Sequence, residues 1–189
     1  MKRYTGTVME LPENFAELPK YQQTGSYAFD PDDKSLMSGF SDHTVVAYVN
    51  EVKGTVYQNV RMDEGVLKGT PYTCYEIKIL KNIKGSLSWG QPIPVYQYGG
   101  VTIDGQRIEY ITDLLEKDKY YVLYLSVEND TNLYLNRAYM IPCEGSAEEF
   151  QQQIEDTNGI LSVFYNALIN ENTEFAPNTR YKSPYDAAE

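Results

Sequence analysis

The chain has 189 residues, a formal net charge of −11 and a hydrophobic content of 42%. That length suits one domain with appendages, able to bury about 70% of its unfolded surface without a metal or a disulfide. The composition excludes a disordered chain, the acidic balance speaks against nucleic acid as a partner, and no run reaches the roughly 18 apolar residues of a transmembrane segment.

Charge is unevenly spread. Residues 144–189 hold nine acids and two bases, whereas residues 44–143 hold eleven and ten. An acidic tail of this kind is a solubilising surface or a docking site for a basic partner. The 18 tyrosines are the other unusual feature. Each joins a large apolar ring to a polar tip, which suits a β-barrel wall and a binding surface alike.

The chain opens on Met1-Lys2-Arg3 without the apolar stretch that follows in a secretory signal. Two localisations stand. One is the cytoplasm; the other, toward which the reading leans, is the cell surface with a leader removed and Met1 not the natural start. Residues 1–41 are punctuated by Pro12, Pro19, Gly25, Pro31 and Gly39. They read as an arm laid over the rest by Tyr21, Tyr27, Phe29, Leu36 and Phe40, with one helical turn over 13–18.

Five strands follow, over 43–57, 70–83, 92–103, 120–128 and 133–143. In the first, apolar residues fill both parities before the pattern loosens, as in a strand that curls, with Gly54 at a bend or bulge. Residues 58–69 are polar, contain two glycines and read as a loop. In the second strand Thr73, Tyr75, Ile77 and Ile79 share one face, and Cys74, Glu76 and Lys78 the other. Pro92 and Pro94 predict an edge position or a bulge for the third strand, and Gly99-Gly100 a sharp bend after it. Residues 108–115 read as a short strand or a helical turn. The last two strands flank Glu128-Asn129-Asp130-Thr131-Asn132, a hairpin loop.

After Gly145 the period changes. Ser146 and Glu149 form a capping box, Phe150 and Ile154 share a helical face, and Ile160, Val163, Phe164, Ala167 and Leu168 make a second apolar stripe. The stretch around Pro177 and Pro184 reads as frayed. These elements predict a mainly β fold. It is a five-stranded OB-like barrel over 44–143, with an N-terminal extension over 1–43 packed on it and C-terminal helices and tail over 144–189, one structural domain in all. A Cys74–Cys143 disulfide would close a loop worth roughly 4 kcal/mol, but strand alternation puts Cys74 on the outer face, so two free thiols are expected.

Several segments stand in a familiar order: His43-Thr44-Val45-Val46-Ala47-Tyr48-Val49, then Tyr72-Thr73-Cys74-Tyr75-Glu76-Ile77-Lys78-Ile79-Leu80, Ile83-Lys84-Gly85, Gly99-Gly100 and Lys119-Tyr120-Tyr121-Val122-Leu123-Tyr124-Leu125. Together, over about residues 42–143, they resemble the OB-fold barrel of bacterial surface proteins similar to tissue inhibitors of metalloproteinases (TIMP-like) and netrin-like modules. Those inhibitors chelate zinc through an N-terminal cysteine. Here Met1 holds the terminus and the first cysteine is Cys74, inside a strand. The resemblance therefore implies a fold and a surface location, and protease inhibition does not carry over.

Groups able to do chemistry are scarce. His43 is the one imidazole; it follows Ser41-Asp42, but no nucleophile-elbow pattern accompanies it, so a histidine at a strand end or turn is expected. One histidine and two distant cysteines lack the close-spaced ligand pairs of a zinc site. Asp30-Pro31-Asp32-Asp33-Lys34-Ser35 has the acid density of a calcium loop, but Lys34 and Ser35 break its pattern, and an Asx-type turn is expected. The acid pairs Asp63-Glu64 and Glu148-Glu149 fall in a loop and a helix cap, where a glycosidase needs its two carboxyls across a cleft. No catalytic residue, metal or cofactor is predicted.

OB barrels bind on the face of their second and third strands, framed by loops. Here that face would offer Tyr96, Tyr98 and Tyr75 as ligand-binding side chains, without the basic residues that track a phosphate backbone. The expected function is a non-enzymatic binding module at the envelope or cell surface, with a protein, peptide or glycan partner rather than a small molecule. The alternative is a cytoplasmic acidic protein that neutralises a basic one, as an antidote does a toxin.

Overall fold

The computed structural model describes residues 6–143 and 145–187; the basic opening at Met1-Lys2-Arg3 lies outside them. The protein is mainly β. In chain order the elements are β1 (Lys20–Gln22), α1 (Lys34–Phe40), β2 (His43–Asp63), β3 (Val66–Lys84), β4 (Ile93–Val101), β5 (Ile108–Tyr110), β6 (Tyr120–Val127), β7 (Leu133–Ile141), α2 (Ala147–Glu155) and α3 (Ser162–Ile169). A single 3-10 turn, Phe15–Glu17, precedes them, where one helical turn is expected before Pro19.

Five of the strands close on themselves. β2 pairs antiparallel with β3 and β6, β3 with β4, and β6 with β7. β4 and β7 then pair in parallel, Val95 opposite Leu133 and Tyr96 opposite Tyr134. That order is the Greek-key closure of an OB-like barrel. β5 adds to β4 and the arm's short β1 adds to β5, so the sheet is extended by two strands.

Two layers of core explain why the first strand is apolar on both parities. Val45, Ala47 and Val49 point into the barrel with Tyr75, Ile77, Val95, Leu123 and Leu125. Val46 points out, under the helices, with Val122, Tyr124, Met37, Phe150, Ile154 and Phe164. Curling contributes as well, since pairing between β2 and β3 shifts register at several points, one of them between Val52 and Gly54. At Gly54, with φ of 139°, the carbonyl oxygen of Met9 would stand 2.1 Å from any Cβ, so the arm crosses where only a hydrogen fits. Met9 and Thr55 exchange both backbone hydrogen bonds there, each 2.8 Å.

The structure corrects several expectations. Residues 58–69 are not a loop. β2 and β3 continue as a two-stranded ribbon, Arg61 opposite Lys68 and Asp63 opposite Val66. A two-residue turn at Glu64 and Gly65, both at positive φ, closes it as a type I′ hairpin requires. Polar composition hid the ribbon because it has no core beneath it: Met62 and Val66 are exposed. β4 is not an edge strand either, and it runs through Gly99-Gly100 to Val101. Pro94 is tolerated because pairing with β7 begins only at Val95.

The capping box forms: Glu149 N–H donates to the Ser146 hydroxyl oxygen, and Ser146 N–H donates to the Glu149 carboxylate. In α3 the buried face is Phe164 and Ala167, while Val163 is exposed, as is Ile160 in the turn before it. The tail is docked rather than frayed. Leu87 bridges Asp186, Ala187 N–H donates to Ser86 carbonyl at 2.7 Å, and Arg180 reaches Asp42 at 2.6 Å and the Gly39 carbonyl at 2.5 Å. Among the described residues no helix is long and apolar enough to cross a membrane.

Candidate functional site

Outward-facing tyrosines of β3, β4 and β7 converge on one groove. Parity decides this. Tyr96 is opposite Cys74, and Gln97 opposite Thr73, so Tyr96 and Tyr98 share the outer face while Gln97 points in. Tyr72 shares the outer face of β3 with Cys74, and the register shift between Tyr72 and Thr73 leaves Tyr98 as the extra residue of β4 beside it. Parallel pairing of β4 with β7 then sets Tyr134 against Tyr96.

The four rings touch. Tyr72 stands edge-on to Tyr98 at 5.7 Å and to Tyr134 at 5.5 Å, with interplanar angles of 86° and 79°. Tyr96 and Tyr134 are 5.6 Å apart at 35°. All four are half-buried. They line a groove of about 380 Å³ with Gln58 and Leu135, and the β6–β7 loop, Glu128-Asn129-Asp130, forms its wall.

Hydrogen bonds hold the rings in place. The Tyr134 hydroxyl donates to Asp130 Oδ2 at 2.8 Å and accepts from Gln58 Nε2 at 2.7 Å. Tyr98 donates to Gln23 Oε1 at 2.8 Å, which ties the groove to the arm. Asp130 also accepts from Asn132 N–H at 3.0 Å, fixing the loop. Partial burial and the neighbouring Cys74 raise the Tyr96 phenol to about 12, and burial with Tyr98, Glu128 and Asp130 raises that of Tyr72. The phenols therefore stay neutral across the physiological range.

Of the three predicted binding tyrosines, the groove gathers Tyr96 and Tyr98. Tyr75 lies on the opposite face, inside the barrel and 0% exposed. Its hydroxyl donates to Gln97 Oε1 at 3.0 Å and accepts from Leu115 N–H at 3.1 Å. It borders a second opening of about 590 Å³ between the arm, at Leu11 and Phe15, and the strap at Leu114 and Leu115. Tyr72 and Tyr134 were missed: Tyr72 lies on the outer face that alternation gives to Cys74, but its meeting with Tyr134 depends on the parallel pairing of β4 with β7, which leaves no mark in the sequence.

Several of the groups able to do chemistry have structural partners. His43 is buried, 5% exposed, rather than at the surface. Its Nε2 is 3.4 Å from Asp186 Oδ1. Nδ1 has no hydrogen-bond partner. Ser41 Oγ, two residues away, is taken by Asn136 at 2.8 Å. In the acidic arm Asp30 accepts from Asp32 N–H as in an Asx turn, Asp33 caps α1, and Asp32 pairs with Arg137 at 2.5 Å. Asp63 pairs with Lys68 at 2.6 Å. No three His, Cys, Asp or Glu side chains gather as a metal site among the described residues. Both cysteines are free thiols.

No family model matches the chain, and no curated protein matches it.

Proposed function

We propose that the chain is a non-enzymatic binding module of the envelope or cell surface, which holds a segment of a protein, peptide or glycan in the tyrosine groove. The observation that carries this reading is the cluster of Tyr72, Tyr96, Tyr98 and Tyr134, open to solvent beside the Glu128–Asp130 loop. A cluster of half-buried aromatic rings with polar tips is a common basis of adaptable recognition. It lies on the face where OB barrels take ligands, and the OB-like closure also supports the resemblance to TIMP-like and netrin-like domains.

The direct trial is to titrate the isotope-labelled full chain with peptides, glycans and wall fragments while following the tyrosine rings by NMR. Shifts confined to the four groove tyrosines, lost in Tyr98→Ala, are the expected result. Ligands that shift none of these rings, or that perturb only the opening beside Tyr75, would overturn the reading.

A second reading, an acidic partner for a basic protein, is favoured by the nine acids of residues 144–189. It predicts association through α2, where Glu148 and Glu149 are exposed, that weakens steeply with salt. A basic protein bound equally at low and high ionic strength, or bound away from α2, would count against it.

A further inference from the structure

We infer that the tyrosine groove selects a cationic group, the guanidinium or ammonium of an Arg or Lys side chain on an extended peptide; this rests on the groove being the binding site. Three observations converge on it. The first is ring geometry. Tyr72 is nearly perpendicular to Tyr98 and Tyr134, at 86° and 79°, so the rings form walls of a box instead of one flat platform. A sugar stacks best on a flat aromatic face. A cation gains from several ring faces at once, since each face carries the negative part of the ring quadrupole.

The second observation is the charge of the lining. Glu128 and Asp130 are its ionisable acids, and it contains no Lys or Arg. Among the described residues neither acid is in an ion pair. Asp63, Glu109 and Glu155, by contrast, are neutralised by Lys68, Arg107 and Lys81. An aromatic box with unneutralised carboxylates at its rim attracts a cation and repels a phosphate or carboxylate.

The third observation is rigidity. Tyr134 is held from both sides by Gln58 and Asp130, and Tyr98 by Gln23, so the rings keep their angles without a ligand. Preorganised rings lose little freedom on binding. The groove, at about 380 Å³, is also larger than one guanidinium and can take neighbouring peptide atoms as well.

The test uses the full chain and three probes: a short arginine peptide, the same peptide with citrulline in place of arginine, and tetramethylammonium. Citrulline keeps the shape and removes the charge. Binding is followed by NMR at the groove tyrosines. The arginine peptide is expected to bind more tightly than the citrulline peptide by about fivefold or more. Glu128→Gln, at an exposed side chain outside the barrel core, should cut that preference by about two- to threefold. Tetramethylammonium shifting the same rings identifies the cation as the recognised feature.

Equal binding of the two peptides would overturn the cation assignment while leaving the groove as the site. An arginine peptide that shifts α2 instead of the tyrosines would overturn it too, in favour of diffuse attraction to the acidic tail. Silence of the rings toward these probes alongside a response to neutral glycans would refute the cation and retain the groove. Silence toward every ligand would refute both.

Discussion

Nε2 of His43 stands 3.4 Å from Oδ1 of Asp186, joining the first residue of the barrel to the C-terminal tail. Gly85 lies over the other edge of the ring, where a Cβ would come within 2.2 Å of Nδ1. Burial holds the imidazole below its ordinary 6.5, and Lys84 pushes the same way, while Asp186 and Asp42 pull it back up without prevailing. The unfolded chain thus takes a proton near pH 6.5 that the folded one refuses. The stability due to neutral His43 is fully present above that pH and is lost as pH falls toward the lower folded value. The chain has a single histidine, so the slope in this window, at most about 1.4 kcal/mol per pH unit, reports one group. Thermal melts between pH 5 and 7.5 should show stability falling with acid, and His43→Gln should flatten that part of the curve. A variant with an unchanged slope would mean that the ring is not buried neutral.

Tyr75 is predicted to be a structural residue. Its hydroxyl joins β3 to Gln97 of β4 and to the backbone of Leu115 in the strap. Tyr75→Phe leaves the ring and its packing but removes that junction, and should cost about 1–3 kcal/mol, the range for a buried hydrogen bond broken from one side. Denaturant unfolding measures the loss. The variant should bind groove ligands as before, because the hydroxyl sits on the inner side of the wall. Loss of binding at unchanged stability would move Tyr75 into the site.

The contrast between Tyr75 and Tyr96 shows what alternation can and cannot convey. Period two on β3 is enough to send Tyr75, Ile77 and Ile79 inward. It is also enough to send Cys74 outward, yet Cys74 is only 3% exposed because Tyr96 and its neighbours cover it. Pattern reads the face, and depth comes from elements far along the chain. The same limit explains α1, unforeseen beyond the turn that caps it. Helical spacing over seven residues carries little signal, and its stability comes from Asp33 at the N-terminus and Met37 in the outer core. The capping box at Ser146 was readable because both partners lie within one helical turn. The groove needs four strands and a bulge, so only its β4 members were foreseen.

The two thiols should differ sharply. Cys74 is buried, and that burial raises its pKa above the ordinary value, whereas Cys143 is exposed after β7. A thiol reagent acts on the accessible thiolate. The native protein should therefore label once, at Cys143, and a second time only on unfolding. Two fast equivalents in the native state would show that the wall around Cys74 opens, and none would show that the thiols are bonded to each other.

Gly54 is an exacting position outside the groove. Its φ of 139° is one that side chains rarely adopt, and the Met9 carbonyl oxygen fills the place of a Cβ at 2.1 Å. Gly54→Ala must shift the arm or the strand, and should cost about 1–3 kcal/mol. The effect is local in the first instance. Thr55 N–H donates to the Met9 carbonyl at 2.8 Å, so its amide should exchange with solvent much faster in the variant, while amides between β3 and β4 keep their protection. A second consequence tests the link between arm and groove: if the lifted segment carries Gln23 with it, Tyr98 loses its partner and the ring resonance of Tyr98 shifts as well. Unchanged exchange at Thr55 together with an unchanged melting temperature would mean that the arm does not cross the barrel at this residue.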